Sequence, residues 1–270
     1  MKGRGANGCE RGERAWQRET RVTGGRDERQ SRLKRSLMTR AAMRTWRGIR
    51  ALRIRAALAD PVRHPPILCA SIGRVASTML YRSIVEGRAR AILGSFNPAD
   101  AAHIGTTSWT LRNARLRSGT VSKTHDLPYA LDPTAPLKIV YSFGRPSDTV
   151  LSVLRKVQVA GETWRDRHLA NMHALGSLEE VVERDVLRLG EQIEAWRAVT
   201  GAPLLAIHYE ALWDVRPMLE DFLGFTISLP EKRTRGFADL DPVTVARVRR
   251  FYAGLDEMVA GLPPYWLVRG

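Results

Sequence analysis

The sequence predicts an α/β protein in three layers, with a central, mostly parallel sheet between two sets of helices. Three observations predict it. Short apolar runs bounded by turn residues recur at 67–72, 119–123, 137–143 and 203–208, and each has the length of a buried strand. Helical spacing of apolar residues appears between and after them, at 77–90, 147–157, 177–200, 215–223 and 241–260. Strands that alternate with helices pair in parallel through right-handed crossovers. Finally, 270 residues at 44% hydrophobic content are enough to bury one sizeable core.

The strand at 67–72 follows Asp60-Pro61 and Pro65-Pro66, which set the start of a domain at 61–270. Upstream, residues 1–37 are rich in Arg, Gly, Glu and Gln with little apolar periodicity, and read as a disordered basic extension. Met38 and Met43 offer alternative starts. Residues 38–60 read as a basic amphipathic helix. Within it, 40–58 places Met43, Trp46, Ile49 and Ala56 near one face, with Arg around the rest. That pattern suits peripheral contact with a membrane or an anionic partner. It also suits a helix packed on the domain by its apolar stripe, the reading we favour.

The formal net charge is +15, but residues 1–58 hold 17 basic and 5 acidic side chains, and residues 59–270 hold 26 and 23. The basicity belongs to the extension, and no specific nucleic-acid role is expected of the body. Cys9 and Cys69 cannot build a disulfide framework. Cys69 sits in an apolar run and reads as a buried thiol. No apolar run approaches the ~20 residues of a spanning helix, and the Arg-rich start lacks the apolar core of a signal peptide. The expected location is cytoplasmic, with a membrane-peripheral variant through 40–58.

Three strand ends carry the chemistry, since ligands of open parallel sheets bind beyond the carboxyl ends of the strands. The first runs strand, small-residue turn, helix over 65–84, the layout of a phosphate-binding loop, without the Gly-Lys of nucleotide kinases. In Gly73-Arg74-Val75-Ala76-Ser77-Thr78 small residues let backbone N–H groups approach an anion. Ser77 and Thr78 add hydroxyls, and Arg74 adds a fixed cation. A generic strand–turn–helix reads the same way. The second end is Ser122 to Pro128, where Lys123 and His125 lie two apart and face one side of an extended chain. A solvated loop is its alternative. The third, 138–155, runs an apolar strand into Gly144-Arg145-Pro146 and a helix capped near Ser147, with Asp148 in its first turn. Ser152 shares a face with Asp148, and Arg145 offers a second phosphate contact. Ordinary capping accounts for Ser147 and Asp148 by itself.

In this order the segments resemble the sulfotransferase family that uses 3′-phosphoadenosine 5′-phosphosulfate. Residues 73–78 are similar to its 5′-phosphosulfate loop, commonly P-K/R-S-G-S/T-S/T. Lys123-Thr124-His125 matches its K-T-H motif letter for letter. Pro146, Asp148 and Ser152 fit the spacing of its 3′-phosphate motif, R-N/D-P-x-D-x-x-x-S. Trp196, Tyr209, Glu210 and Leu212 fit its W…LxxxYExL segment. The resemblance spans roughly residues 65–213. The departures are Val75 for a hydroxyl residue, Ala76 for the loop Gly, and Gly144 for the 3′-phosphate Arg, which is found one residue later at Arg145. The family's C-terminal R-K-G loop has a loose echo at 232–236, which adds Arg233 and Arg235 as candidates.

The resemblance implies a P-loop NTPase-like fold and in-line sulfuryl transfer from the sulfonucleotide to an acceptor hydroxyl of a carbohydrate, lipid or small molecule, with no metal required. It makes His125 the base, with an ordinary pKa suited to neutral pH. Arg74 and Lys123 stabilise charge, Ser77 and Thr78 hold the 5′-phosphate, and Ser152 with Arg145 holds the 3′-phosphate. The alternatives are a P-loop small-molecule kinase and a non-catalytic nucleotide-binding sulfotransferase-like protein. His64, His103, His168, His173 and His208 show no zinc-like spacing, and His208 reads as a satisfied core residue. The insertions at 91–118 and 157–178, with Trp109, Trp164, Arg112, Arg115, Arg165 and Arg167, are the expected acceptor-facing segments.

Overall fold

The structure is a computed structural model that describes residues 42–57, 59–114, 116–132, 136–234 and 236–270, apart from the side chain of Asn113. The expected extension at 1–37, the ends of the basic helix at 38–41 and 58, and Arg115 and Arg235 lie outside the described residues.

The sheet has six strands: β1 (Ile67–Ser71), β2 (Gly105–Thr107), β3 (Val121–Thr124), β4 (Lys138–Phe143), β5 (Leu204–His208) and β6 (Tyr265–Val268). Their order is β2-β3-β1-β4-β5-β6, with all neighbours parallel except the final β5–β6 pair. β1, β3, β4 and β5 are the four strands expected from the sequence. β2 is three residues of Gly and Thr on an edge, and β6 is the short antiparallel strand at the other edge.

The pleat sends successive side chains to opposite faces, and both faces are covered. Leu68, Ala70, Ile139, Tyr141, Leu204 and Ala206 enter one apolar cluster. Ile67, Cys69, Val140, Leu205 and Ile207 enter the other. The first cluster is closed by α4 (Pro146–Ala160), α6 (Leu189–Arg197), α8 (Pro242–Phe251) and α9 (Ala253–Ala260), the second by α2 (Ser77–Leu93) and α7 (Arg216–Leu223). α3 (Ala101–Ile104) and α5 (Glu162–Asn171) complete the helices of this body.

The expected helix at 177–200 is two pieces. A capping box between Ser177 and Glu180 starts a 3-10 turn at Leu178–Val182, and Arg188 takes a left-handed conformation (φ 56°) just before α6. Likewise 241–260 breaks at Tyr252.

Residues 42–57 form a helix, α1. Met43, Trp46 and Ile49, the stripe expected to pack, are exposed. The buried residues of α1 are Arg50, Ile54 and Ala57, spaced i, i+4, i+7 on a helical face from which Ile49 is rotated by about 100°. Among the described residues no helix is long and apolar enough to cross a membrane.

Candidate functional site

The carboxyl ends of β1 and β3 open on a cavity of about 520 Å³. β1 feeds it through a turn in which Gly73, Arg74 and Ala76 all have positive φ, at 78°, 51° and 58°. Glycine adopts this region freely, whereas a residue with a Cβ strains by roughly 1–2 kcal/mol. The Ala76 departure is therefore accommodated in the conformation a glycine would take, under strain. Val75 turns away from the cavity and is fully buried in the apolar cluster, so its bulk does not fill the turn. Gly73 contributes buried backbone beside Met172 and His168 and is not among the lining residues. No side chain caps the start of α2, and no acidic residue occupies its first turn, which leaves the positive end of the helix beside the cavity. Ser77 and Thr78 both line it.

Cations converge on this space. Arg74 donates through Nε to Ser152 Oγ at 3.1 Å, with its guanidinium 5.7 Å from the Trp164 ring. Lys123 donates from Nζ to Thr78 Oγ1 at 2.8 Å. Burial, with the Arg74 and Arg82 charges adding to it, pulls the Lys123 ammonium down to about 8. No carboxylate stands among the described lining residues, and of the cations there Lys123 is buried, Arg74 half-buried and Arg233 exposed.

His125 is buried at the back. Its Nδ1 lies 3.0 Å from the Ser71 carbonyl oxygen and 3.0 Å from Ser71 Oγ. A carbonyl only accepts, so Nδ1 carries the proton and Nε2 keeps its lone pair. Burial first, then Lys123, pushes its pKa down to about 3. The expectation of an ordinary value is corrected, because removal from water beside a cation disfavours imidazolium. The Trp109 ring stacks on it at 5.6 Å. Trp109 is held in turn by His173 Nε2, 2.7 Å from its carbonyl oxygen.

His168 is the site residue that the sequence reading passed over. It is buried, stacks on Trp164 at 4.6 Å and meets His125 edge-on at 6.4 Å. Its Nε2 is buried without a hydrogen-bond partner, and burial with Arg74 lowers its pKa to about 4. Trp164, His168 and Asn171 all line the cavity. Their i, i+4, i+7 spacing on one helical face was the legible signal.

The β4–α4 crossing behaves differently. Gly144 faces the turn, and a Cβ built on it would lie 3.2 Å from Val75 and 3.6 Å from Tyr209. Arg145, one residue on, lines a separate cavity with Arg249 and Asp256 and pairs with Asp256 at 3.5 Å. The helix starts at Pro146 with Arg145 as its N-cap. The cap expected near Ser147 comes from across the fold, as Asp256 accepts from both the Ser147 backbone N–H (3.0 Å) and its hydroxyl (2.5 Å). Asp148 pairs with Arg249. Of this motif, Ser152 alone reaches the main cavity.

Tyr209 and Arg233 line both the main cavity and an adjoining one of about 640 Å³, reached past Ala76 and Met79. Trp213 lines the second, edge-on to Tyr209 at 5.5 Å. Trp196 and Leu212 are core residues, and Glu210 pairs with Lys232 outside the cavity. His208 sits edge-on to Phe143 at the end of β5 and lines the Arg145 cavity. The chain matches no protein-family model and no curated protein.

Proposed function

We propose that the protein transfers a sulfuryl group from 3′-phosphoadenosine 5′-phosphosulfate to an acceptor hydroxyl, on a P-loop-like α/β scaffold. The observation that carries this reading is the cavity in which Arg74, Lys123 and an uncapped helix start face a buried histidine, with no carboxylate among the described lining residues. Such a site rewards a polyanion that arrives without its own counter-charge. A nucleotide kinase site would instead be expected to offer an acidic side chain toward magnesium.

The adjoining cavity, walled by Tyr209 and Trp213 with Arg82, Glu86 and Glu231 also on its lining, has the size and aromatic surface for the nucleoside. The sulfuryl end then lies over Lys123, Thr78 and Arg74. The acceptor oxygen attacks sulfur in line, and His125 Nε2 takes its proton. The bond from sulfur to the bridging oxygen breaks, and adenosine 3′,5′-bisphosphate leaves with the electron pair, stabilised by Arg74 and the start of α2. The bound anion offsets the field that depresses His125, so its basicity recovers when the donor is present. Trp109, Trp164 and His168 border the acceptor side.

A second reading, nucleotide binding without turnover, draws on the diversion of Arg145 to Asp256, which removes one cation from the 3′-phosphate. The test is a thermal shift with adenosine 3′,5′-bisphosphate and with ATP, each with and without magnesium, followed by ³⁵S transfer from the labelled donor to a panel of hydroxyl compounds. The bisphosphate at about 100 times its Kd should stabilise the fold by about 2.7 kcal/mol without magnesium. Magnesium-dependent stabilisation by ATP alone would overturn the proposal. Tight bisphosphate binding with no transfer to any acceptor would support the second reading.

A further inference from the structure

We infer that α1 is a docking surface for an anionic lipid bilayer, on which the helix lies without crossing. Eleven large apolar side chains are exposed among the described residues, and four of them fall in the ten residues from Met43 to Leu52. Trp46 (39% exposed), Ile49 (50%) and Leu52 (64%) are each three residues from the next and share an arc of about 120° on one side of the helix, which Met43 (45%) flanks. Residues 42–57 carry five arginines and no acidic residue. Arg44, Arg47, Arg53 and Arg55 are exposed, and Arg50 lies over the Trp46 ring at 4.6 Å.

Charge decides the occupant. Residues 1–41 hold 12 basic and 5 acidic side chains, so neither that segment nor a second copy of this helix complements the four exposed arginines. Nucleic acid would satisfy the arginines but leave the Met, Trp, Ile and Leu ridge in water. An anionic membrane satisfies both, with aliphatic side chains and an indole at the headgroup boundary and guanidinium groups on the phosphates. The 16 described residues of the helix are too few to span.

The test uses the full chain in vesicle sedimentation, with phosphatidylcholine alone and with 30% phosphatidylglycerol. Binding should need the anionic lipid and weaken with salt. The double change Trp46→Ser with Ile49→Ser should reduce it about tenfold or more, and Arg44→Ser with Arg47→Ser by a similar factor. Both pairs are exposed, so thermal unfolding should be unchanged, which separates loss of docking from loss of fold. Equal binding to neutral vesicles would overturn the inference, as would anionic binding that Trp46→Ser with Ile49→Ser leaves intact. Tighter binding to duplex DNA than to vesicles, indifferent to that double change, would assign the face to nucleic acid instead.

Discussion

Two crossings of this sheet begin alike and end differently. β1 runs into Gly73-Arg74 and then a helix, and β4 runs into Gly144-Arg145 and then a helix. At the first, the arginine meets Ser152 beside a cavity with no described carboxylate on its wall. At the second, the arginine meets Asp256, and Arg249 meets Asp148. At one crossing the arginine donates to a hydroxyl beside a cavity, and at the other a carboxylate from α9 takes the helix start. The same local grammar thus leaves a helix start open beside a cavity or closes it with a cap, according to what the rest of the chain brings to it.

The largest effect that would sharpen this contrast lies on the open side. His125→Ala should lower turnover by ~10²–10⁴-fold while bisphosphate binding survives. Near-wild-type ³⁵S transfer in that variant would remove His125 from the chemistry. On the closed side, Asp256→Ala strips the cap from Ser147 and the counter-ion from Arg145, and should cost about 3 kcal/mol of stability in urea unfolding. A loss under 1 kcal/mol would show that the cap is dispensable.

Exchanging the two arginines tests the comparison directly. Arg74→Ala should weaken adenosine 3′,5′-bisphosphate by ~10–100-fold in calorimetry, the worth of a charge-assisted hydrogen bond, whereas Arg145→Ala should change it less than about threefold. Equal losses would mean that the second crossing also faces the ligand.

The open side also has a pH signature. His125 and His168 sit at about 3 and about 4 in the fold against an ordinary 6.5. As pH falls from 6.5 toward 4 the unfolded chain takes up protons that the fold refuses. Stability is then lost by about 1.4 kcal/mol per pH unit for each histidine and is regained as pH rises again. His168→Asn should flatten that slope by one proton, read from urea midpoints at pH 4.5 and 6.5, and an unchanged slope would place His168 in contact with water. The smallest effect concerns the turn. Ala76→Gly relieves a left-handed alanine but frees the unfolded chain, for a net gain of about 0.5 kcal/mol. A loss of stability would show that the Ala76 methyl packs to advantage.

Much of this was legible beforehand because it is local. Lys123 and His125 share a face because strands alternate, and the turn at 73–78 announces itself by small residues between an apolar strand and a helix. The inner strands β1, β4 and β5 are largely apolar because both their faces are covered, whereas β3 reads Val-Ser-Lys-Thr. The edge strands were not legible, as Gly105–Thr107 has no period to read. Trp109 and Trp164 were singled out only as residues of insertions, and His168 was set aside as one of several scattered histidines. A helical i, i+4, i+7 face shows which residues travel together but not what they will face.

By itself the sequence determined the alternation of strand and helix, the place of each turn and the residues carried to the strand ends, since these follow from periodicity and backbone preference within a few residues. The tertiary structure alone decided the electrostatics. Asp256, more than a hundred residues from Ser147, closes one crossing, whereas the described residues lining the cavity at the other include no carboxylate. Whether a buried cation is satisfied depends on the distance and solvation of its partners, and those are set by how the chain returns on itself.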